Sequence, residues 1–198
     1  RHHQWLHYVY KFPLMVPYLV GIALVIVLFG QGGLMARLSY ALGWIERPDD
    51  FAALLYSHYG WGIILVYLWK QVPFMALSIY VVLLGIPEQT QDAARLLGAS
   101  RWQRWRYVVV PQVMPGILSA VLICFAFNVG AFEAPFILGG GFPDTLPVLA
   151  WRLFTDPDYG QRLSGMAVLV TMGAMLLVTV WVASLLSRRA NRWQRISA

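Results

Sequence analysis

Two formal charges stand inside otherwise apolar stretches of the chain, Lys70 in Trp69-Lys70-Gln71 and Glu133 in Phe132-Glu133-Ala134. Inside a membrane span each would cost about 2.5–3.5 kcal/mol on insertion scales, so each must face protein or a water-filled path. Counted from Gly60, Lys70 lies about 15 Å along its stretch, whereas Glu133 lies about 7–8 Å from Leu138, at roughly 1.5 Å of rise per residue. A lysine reaching outward can cover that difference, and a Lys70–Glu133 pair is the first expectation. The alternative sets Glu133, with Phe132, Phe136 and one of Trp61 or Tyr67, at the mouth of such a water-filled path. There a carboxylate and ring faces would attract a cation.

Other reactive chemistry is sparse. Cys124 is the single cysteine, so no intrachain disulfide is expected and the thiol reads as a small packing group. His2, His3 and His7 have no cysteine or carboxylate at ligand spacing; an interfacial role is expected of them, and no metal site. Gly139-Gly140-Gly141 lacks the following lysine and hydroxyl residue of a phosphate loop and reads as a turn. No serine or cysteine has an evident base beside it, so no catalytic residue and no cofactor is expected.

The elements that carry these residues follow from composition. Of 198 residues 59% are apolar and only 12% charged, where a soluble domain carries about a quarter. Four stretches reach the roughly 20 apolar residues needed to cross a bilayer: residues 12–30, 60–85, 115–138 and 163–187. None alternates with period two, and backbone groups cannot stay unpaired in lipid, so each is expected to be a helix in one transmembrane domain over residues 1–198.

Charge gives an orientation. Arg1, Lys11, Arg95, Arg101, Arg104, Arg106 and the tail arginines Arg188, Arg189, Arg192 and Arg195 face two acids, Glu88 and Asp92. The other two connections hold four bases, Arg37, Arg47, Arg152 and Arg162, against six acids, Glu46, Asp49, Asp50, Asp144, Asp156 and Asp158. Because Lys and Arg accumulate on the cytoplasmic side, both ends and residues 87–111 are expected inside. The net charge of +6 is thus a topology signal, and no nucleic-acid partner is needed. Between residue 138 and the last span, residues 146–154 carry apolar groups at helical spacing and read as a short outer helix.

The loop at residues 87–111 can be built from local rules. Pro87 suits the first helical position, Glu88 to Leu97 can follow as a short helix, and Gly98 can end it in the left-handed conformation. Ser100 and Gln103 have capping-box spacing for a second helix toward Pro111. Ala93 and Ala94 would let a partner approach, while Leu96 and Leu97 are expected to pack back on the bundle. Trp102 and Trp105, with the neighbouring arginines, suit lipid headgroups. Pro73 should kink the second span by withdrawing a donor from the Trp69 carbonyl.

The run Gln91-Asp92-Ala93-Ala94, with Leu97-Gly98-Ala99-Ser100 and Val108-Val109-Val110-Pro111, resembles the EAA loop of permease subunits of binding-protein-dependent ABC importers. That pattern is an acid, two alanines, three variable residues, a glycine, then a hydrophobic-x-hydrophobic-Pro step. Asp92, Ala93, Ala94, Gly98, Val108, Val110 and Pro111 fall on it, with Asp for Glu and valines for the usual Ile and Leu. The resemblance implies an all-α polytopic bundle of the type I importer permease (MetI-like) fold in a bacterial inner membrane. It implies an ATPase-docking loop made of Gln91, Asp92, Ala93, Ala94, Leu97, Gly98, Ala99, Ser100 and Pro111, and a pathway to which Lys70, Phe132 and Glu133 are candidates. The implied partners are ABC ATPase subunits, a second permease subunit, a periplasmic solute-binding protein and the lipid bilayer, with ATP hydrolysed elsewhere. Pro13-Leu14-Met15-Val16-Pro17, Trp69 to Phe74, and Gly130 to Pro135 with Gly139-Gly140 resemble the spermidine/putrescine branch, although iron, thiamine and sulfate importers share parts of them. Permeases of this kind carry further helices ahead of the first span seen here, so a partial permease is expected. The rival reading is a membrane structural or assembly protein that keeps the loop without translocating a solute.

Overall fold

The computed structural model describes residues 11–141 and 143–196, with side chains described through Leu185; Arg1, the three histidines His2, His3 and His7, and the side chains of the tail arginines lie outside the described residues. Residues 11–15 are helical, followed by α1 (Tyr18–Phe29), α2 (Leu34–Ala41), α3 (Trp61–Leu84) and α4 (Glu88–Leu96). Next come α5 (Arg101–Arg104), a widened turn over Trp105–Val109, and α6 (Val110–Gly130). The chain continues with α7 (Glu133–Leu138), α8 (Leu146–Thr155) and α9 (Tyr159–Ile196). No strand occurs among the described residues. Among the described residues, four helical stretches are long and apolar enough to cross a membrane: Tyr18–Ala41, Trp61–Leu84, Arg101–Gly130 and Tyr159–Leu185.

Prolines set where these helices break. Pro17 ends the helix at residues 11–15 and precedes α1 in an extended conformation, so the stretch expected over 12–30 is interrupted. Pro135 cannot donate to the carbonyl of Ala131, and the stretch expected over 115–138 is broken at Ala131–Phe132 before α7 resumes. Pro111 falls two residues after the widened turn, which is closed by the N–H of Val110 bonding the carbonyl of Trp105 five residues back. Pro73 and Pro115 lie within helices that continue through them.

Contacts divide the chain into two compact units. The first comprises Arg1–Pro73 and Val129–Gly173. Its core is Ile22 and Val25 of α1, Leu55, Val66 of α3, and Ala134 and Leu138 of α7. Gly62 admits Leu55 to that core, since a Cβ there would lie 2.7 Å from Leu55 Cδ2. The Leu138 carbonyl accepts from the Tyr56 N–H at 3.1 Å. The second unit comprises Phe74–Asn128 and Ala174–Ala198. In it α3 and α6 meet closely at Gly116, where a Cβ would sit 2.4 Å from Val82 Cγ2.

Candidate functional site

Helix α4 is polar and short, and none of its residues is buried. Pro87 is the N-cap, so the helix starts one residue later than sequence suggests, and Asp92 pairs with Arg95 one turn on at 3.0 Å. The end of the helix is set by three backbone bonds. The Leu97 N–H reaches the Ala93 carbonyl at 3.1 Å, Gly98 reaches Arg95 at 2.9 Å, and Ala99 reaches Ala94 at 3.0 Å. With Gly98 at φ +80°, this is a Schellman ending, which satisfies carbonyls that would otherwise be orphaned. Ser100 then starts α5 in a reciprocal capping box: its N–H donates to Gln103 Oε1 at 2.8 Å and the Gln103 N–H donates to Ser100 Oγ at 3.3 Å. Two short helices are therefore joined through Leu97 to Ser100 with the turn chemistry fixed on both sides.

The loop departs from expectation at Leu96 and Leu97. Both were expected to pack inward, yet they are 89% and 88% exposed. The Schellman turn ends α4 at these residues, and no residue of α4 is buried against the chain. An apolar pair on an otherwise polar loop is surface that a partner can cover, at about 1.5–3 kcal/mol for each leucine fully buried. Gln91, Asp92, Ala93, Ala94, Leu97, Gly98, Ala99 and Ser100 lie together on this short stretch, whereas Pro111 belongs to the first turn of α6. Trp102 and Trp105 stack with ring centroids 5.0 Å apart, and both are exposed.

The pathway candidates do not assemble as a charge pair. Among the described residues the ion pairs are Arg95–Asp92 and Arg152–Asp144, and none joins Lys70 to Glu133. The Lys70 ammonium instead donates to the carbonyl of Pro13 at 2.6 Å and to that of Val16, both left by the break at Pro17. Glu133 is exposed in the first turn of α7. Phe132 stacks on Phe136 at 4.9 Å and meets Trp151 of α8 edge-on at 5.7 Å. Sequence reasoning missed the Lys70–Pro13 link; the available signal was Pro17 standing four residues after Pro13.

A helical membrane protein with an exposed, mostly polar loop between two apolar helices is the class that this fold defines. The chain matches the family described as binding-protein-dependent transport system inner membrane component over residues 2–194, and it belongs to that family. The molybdenum transport system permease protein ModB of Escherichia coli K12 is 27% identical over 185 residues, covering 91% of this chain and 77% of the relative. The sulfate transport system permease protein CysT of the same organism is 26% identical over 136 residues, covering 68% of this chain and 49% of the relative. In a crystal structure of a bacterial ABC transporter that imports the acidic polysaccharide alginate, one chain superposes with a TM-score of 0.77 at 20% identity. The match covers 95% of this chain and 66% of that one. The fold is that of the type I ABC importer permeases, and the chain spans about two thirds of the solved neighbour.

Proposed function

We propose that this chain is the membrane-spanning subunit of an importer, pairing with a second permease subunit and passing a solute handed over by a periplasmic binding protein. ATP is hydrolysed on separate subunits that dock on residues 87–111, which lie in the cytoplasm together with both ends of the chain. The observation that carries the reading is the loop itself: an acid-Ala-Ala helix, a left-handed Gly98, and an uncovered Leu96–Leu97 pair. Family membership and the crystal structure of the alginate importer bound to its pentasaccharide-loaded periplasmic protein support the same partners. A non-transporting assembly protein would have no need of a binding protein, and co-purification of ATPase and binding protein with this chain tests the choice.

For cargo, the molybdenum and sulfate relatives favour a small oxyanion. This replaces the polyamine branch suggested by residues 13–17, 69–74 and 130–140. The cationic reading retains one supporting observation, the exposed Glu133 beside the stacked Phe132 and Phe136. Uptake of labelled molybdate, sulfate and spermidine by the complete transporter in vesicles decides between them. Competition of spermidine uptake, with no oxyanion accumulated, would sink the oxyanion reading. Orientation is tested with Cys124 replaced by alanine: a cysteine at Arg104 should label only from the cytoplasmic side, and one at Asp156 only from outside.

A further inference from the structure

Lys70 is the one buried charged side chain among the described residues, at 7% exposure. Its ammonium donates to the carbonyl oxygens of Pro13 and Val16, and Nζ lies 4.9 Å from the centroid of the Tyr18 ring. Proline chemistry explains why those carbonyls are available. In a continuous helix the carbonyl of Pro13 would accept from the N–H of residue 17, but residue 17 is proline and has none. Pro17 is extended, with φ −56° and ψ 149°, so the helix stops at residue 15 and Val16 stands between two helical ladders. The break immediately precedes the apolar stretch Tyr18–Ala41 and is buried where Lys70 of the apolar helix α3 enters it, so the protein supplies the missing donor.

The surroundings fix the same junction. Phe12 meets Trp69 edge-on with centroids 6.4 Å apart, and a Cβ on Gly21 would lie 3.0 Å from Trp69 Cζ3. The residue before Lys70 therefore packs against both sides of the break, while Lys70 itself enters it.

We infer that Lys70 is the tethered occupant of an intramembrane carbonyl site for an ammonium group, created by Pro17, and that it positions residues 11–15 against α3. Two carbonyl oxygens and an aromatic face form an all-acceptor environment that suits a primary ammonium and repels an anion. Lys70 is consequently closed to an anionic cargo, and its charge is met by backbone dipoles with no carboxylate paired to it. The inference concerns the assembly of the first span and holds whatever solute the transporter carries.

The test uses the full chain expressed with its partner subunits, with folded transporter measured by size-exclusion after detergent extraction. Lys70→Met keeps most of the apolar stem and removes the donor; folded yield should fall about tenfold. Pro17→Ala returns an N–H at position 17 and lets the helix run on, so in that background Lys70→Met should cost less than about threefold. Equal losses in the two backgrounds, or no loss in either, overturn the inference. A second measurement supplies the ligand untethered. Propylammonium should raise the melting temperature of the Lys70→Ala transporter and leave the parent unchanged, whereas tetramethylammonium, which has no N–H, should do neither. Equal responses of variant and parent, or no response to propylammonium, would remove the ammonium site.

Discussion

The loop at residues 87–111 and the Lys70 junction are opposite solutions to placing a residue in the wrong medium. On the loop, two leucines stand in the open at the end of a helix that buries nothing. At the junction, a cation is buried among apolar residues and finds its partners in backbone carbonyls. The buried charge is complete within one chain, because its desolvation is offset by donors meeting acceptors that a proline left unpaired. The exposed apolar pair has no such compensation within its own helix, and the docking proposal supplies it from a second molecule. Mismatch of residue and medium therefore marks an interface only where the chain itself offers no compensation.

The largest effect expected from breaking this contrast is on Leu96 and Leu97. Replacing both with aspartate should abolish transport while leaving insertion and folding intact, since neither side chain is buried. Leu97→Ala alone should weaken ATPase association about tenfold or more, the equivalent of losing roughly 1.5–3 kcal/mol of apolar burial. Pull-down of the ATPase by the detergent-extracted permease reads both. Normal ATPase recovery with the double variant would show that the pair docks nothing.

Gly98 comes next and can be ranked by backbone conformation alone. A side chain there meets no atom within 4 Å, so crowding plays no part and the positive φ decides. Occupying the left-handed region costs a non-glycine residue about 1–2 kcal/mol, less for asparagine and more for a β-branched residue. Transport should thus decline in the order Gly, Asn, Ala, Val, with Gly98→Val reduced at least about fivefold and Gly98→Asn near the parent. An effect of Gly98→Asn as large as that of Gly98→Val would mean that contact, and not conformation, matters at the turn.

Ser100→Ala should act more gently. Loss of the side-chain cap costs about 0.5–2 kcal/mol, most of it local to α5. Hydrogen exchange at the Gln103 amide, whose acceptor is Ser100 Oγ, should accelerate about 2- to 30-fold. Unchanged exchange there would show that the capping box does not hold the start of α5.

The loop was legible in sequence because its signals are local: Gly98 two residues before Ser100, and Ser100 three before Gln103, are read within one turn of helix. The four apolar stretches were legible for the same reason, hydropathy being a property of a window. What could not be read were choices between distant partners. Lys70 had two candidate acceptors, a carboxylate 63 positions later and carbonyls 54 and 57 positions earlier, and depth along a helix does not distinguish them. Leu96 and Leu97 were assigned inward because leucine usually is, yet which face of a nine-residue helix meets the bundle is a tertiary matter. The helix breaks at residues 16–17 and 131–132 were within reach, given Pro17 and Pro135, but hydropathy alone runs straight through them.

The smallest effect is expected at Glu133, and it sharpens the comparison from the other side. Glu133 is exposed and has no ion pair with Lys70, so Glu133→Gln should leave folded yield within about twofold of the parent. Combined with Lys70→Met, the losses should add to within about 0.5 kcal/mol, as for groups that share no interaction. Measurable rescue of Lys70→Met by Glu133→Gln would restore the charge pair and overturn the carbonyl assignment. Uptake then separates the cargo readings. A carboxylate near the path of an oxyanion can only repel it, so its neutralisation should leave molybdate or sulfate uptake unchanged or raise it, whereas a cationic cargo would lose an attractive group and enter more slowly. An exposed carboxylate in this part of the chain cannot rest against lipid without a cost of about 2.5 kcal/mol or more, and it therefore belongs on a face met by water or by a partner subunit.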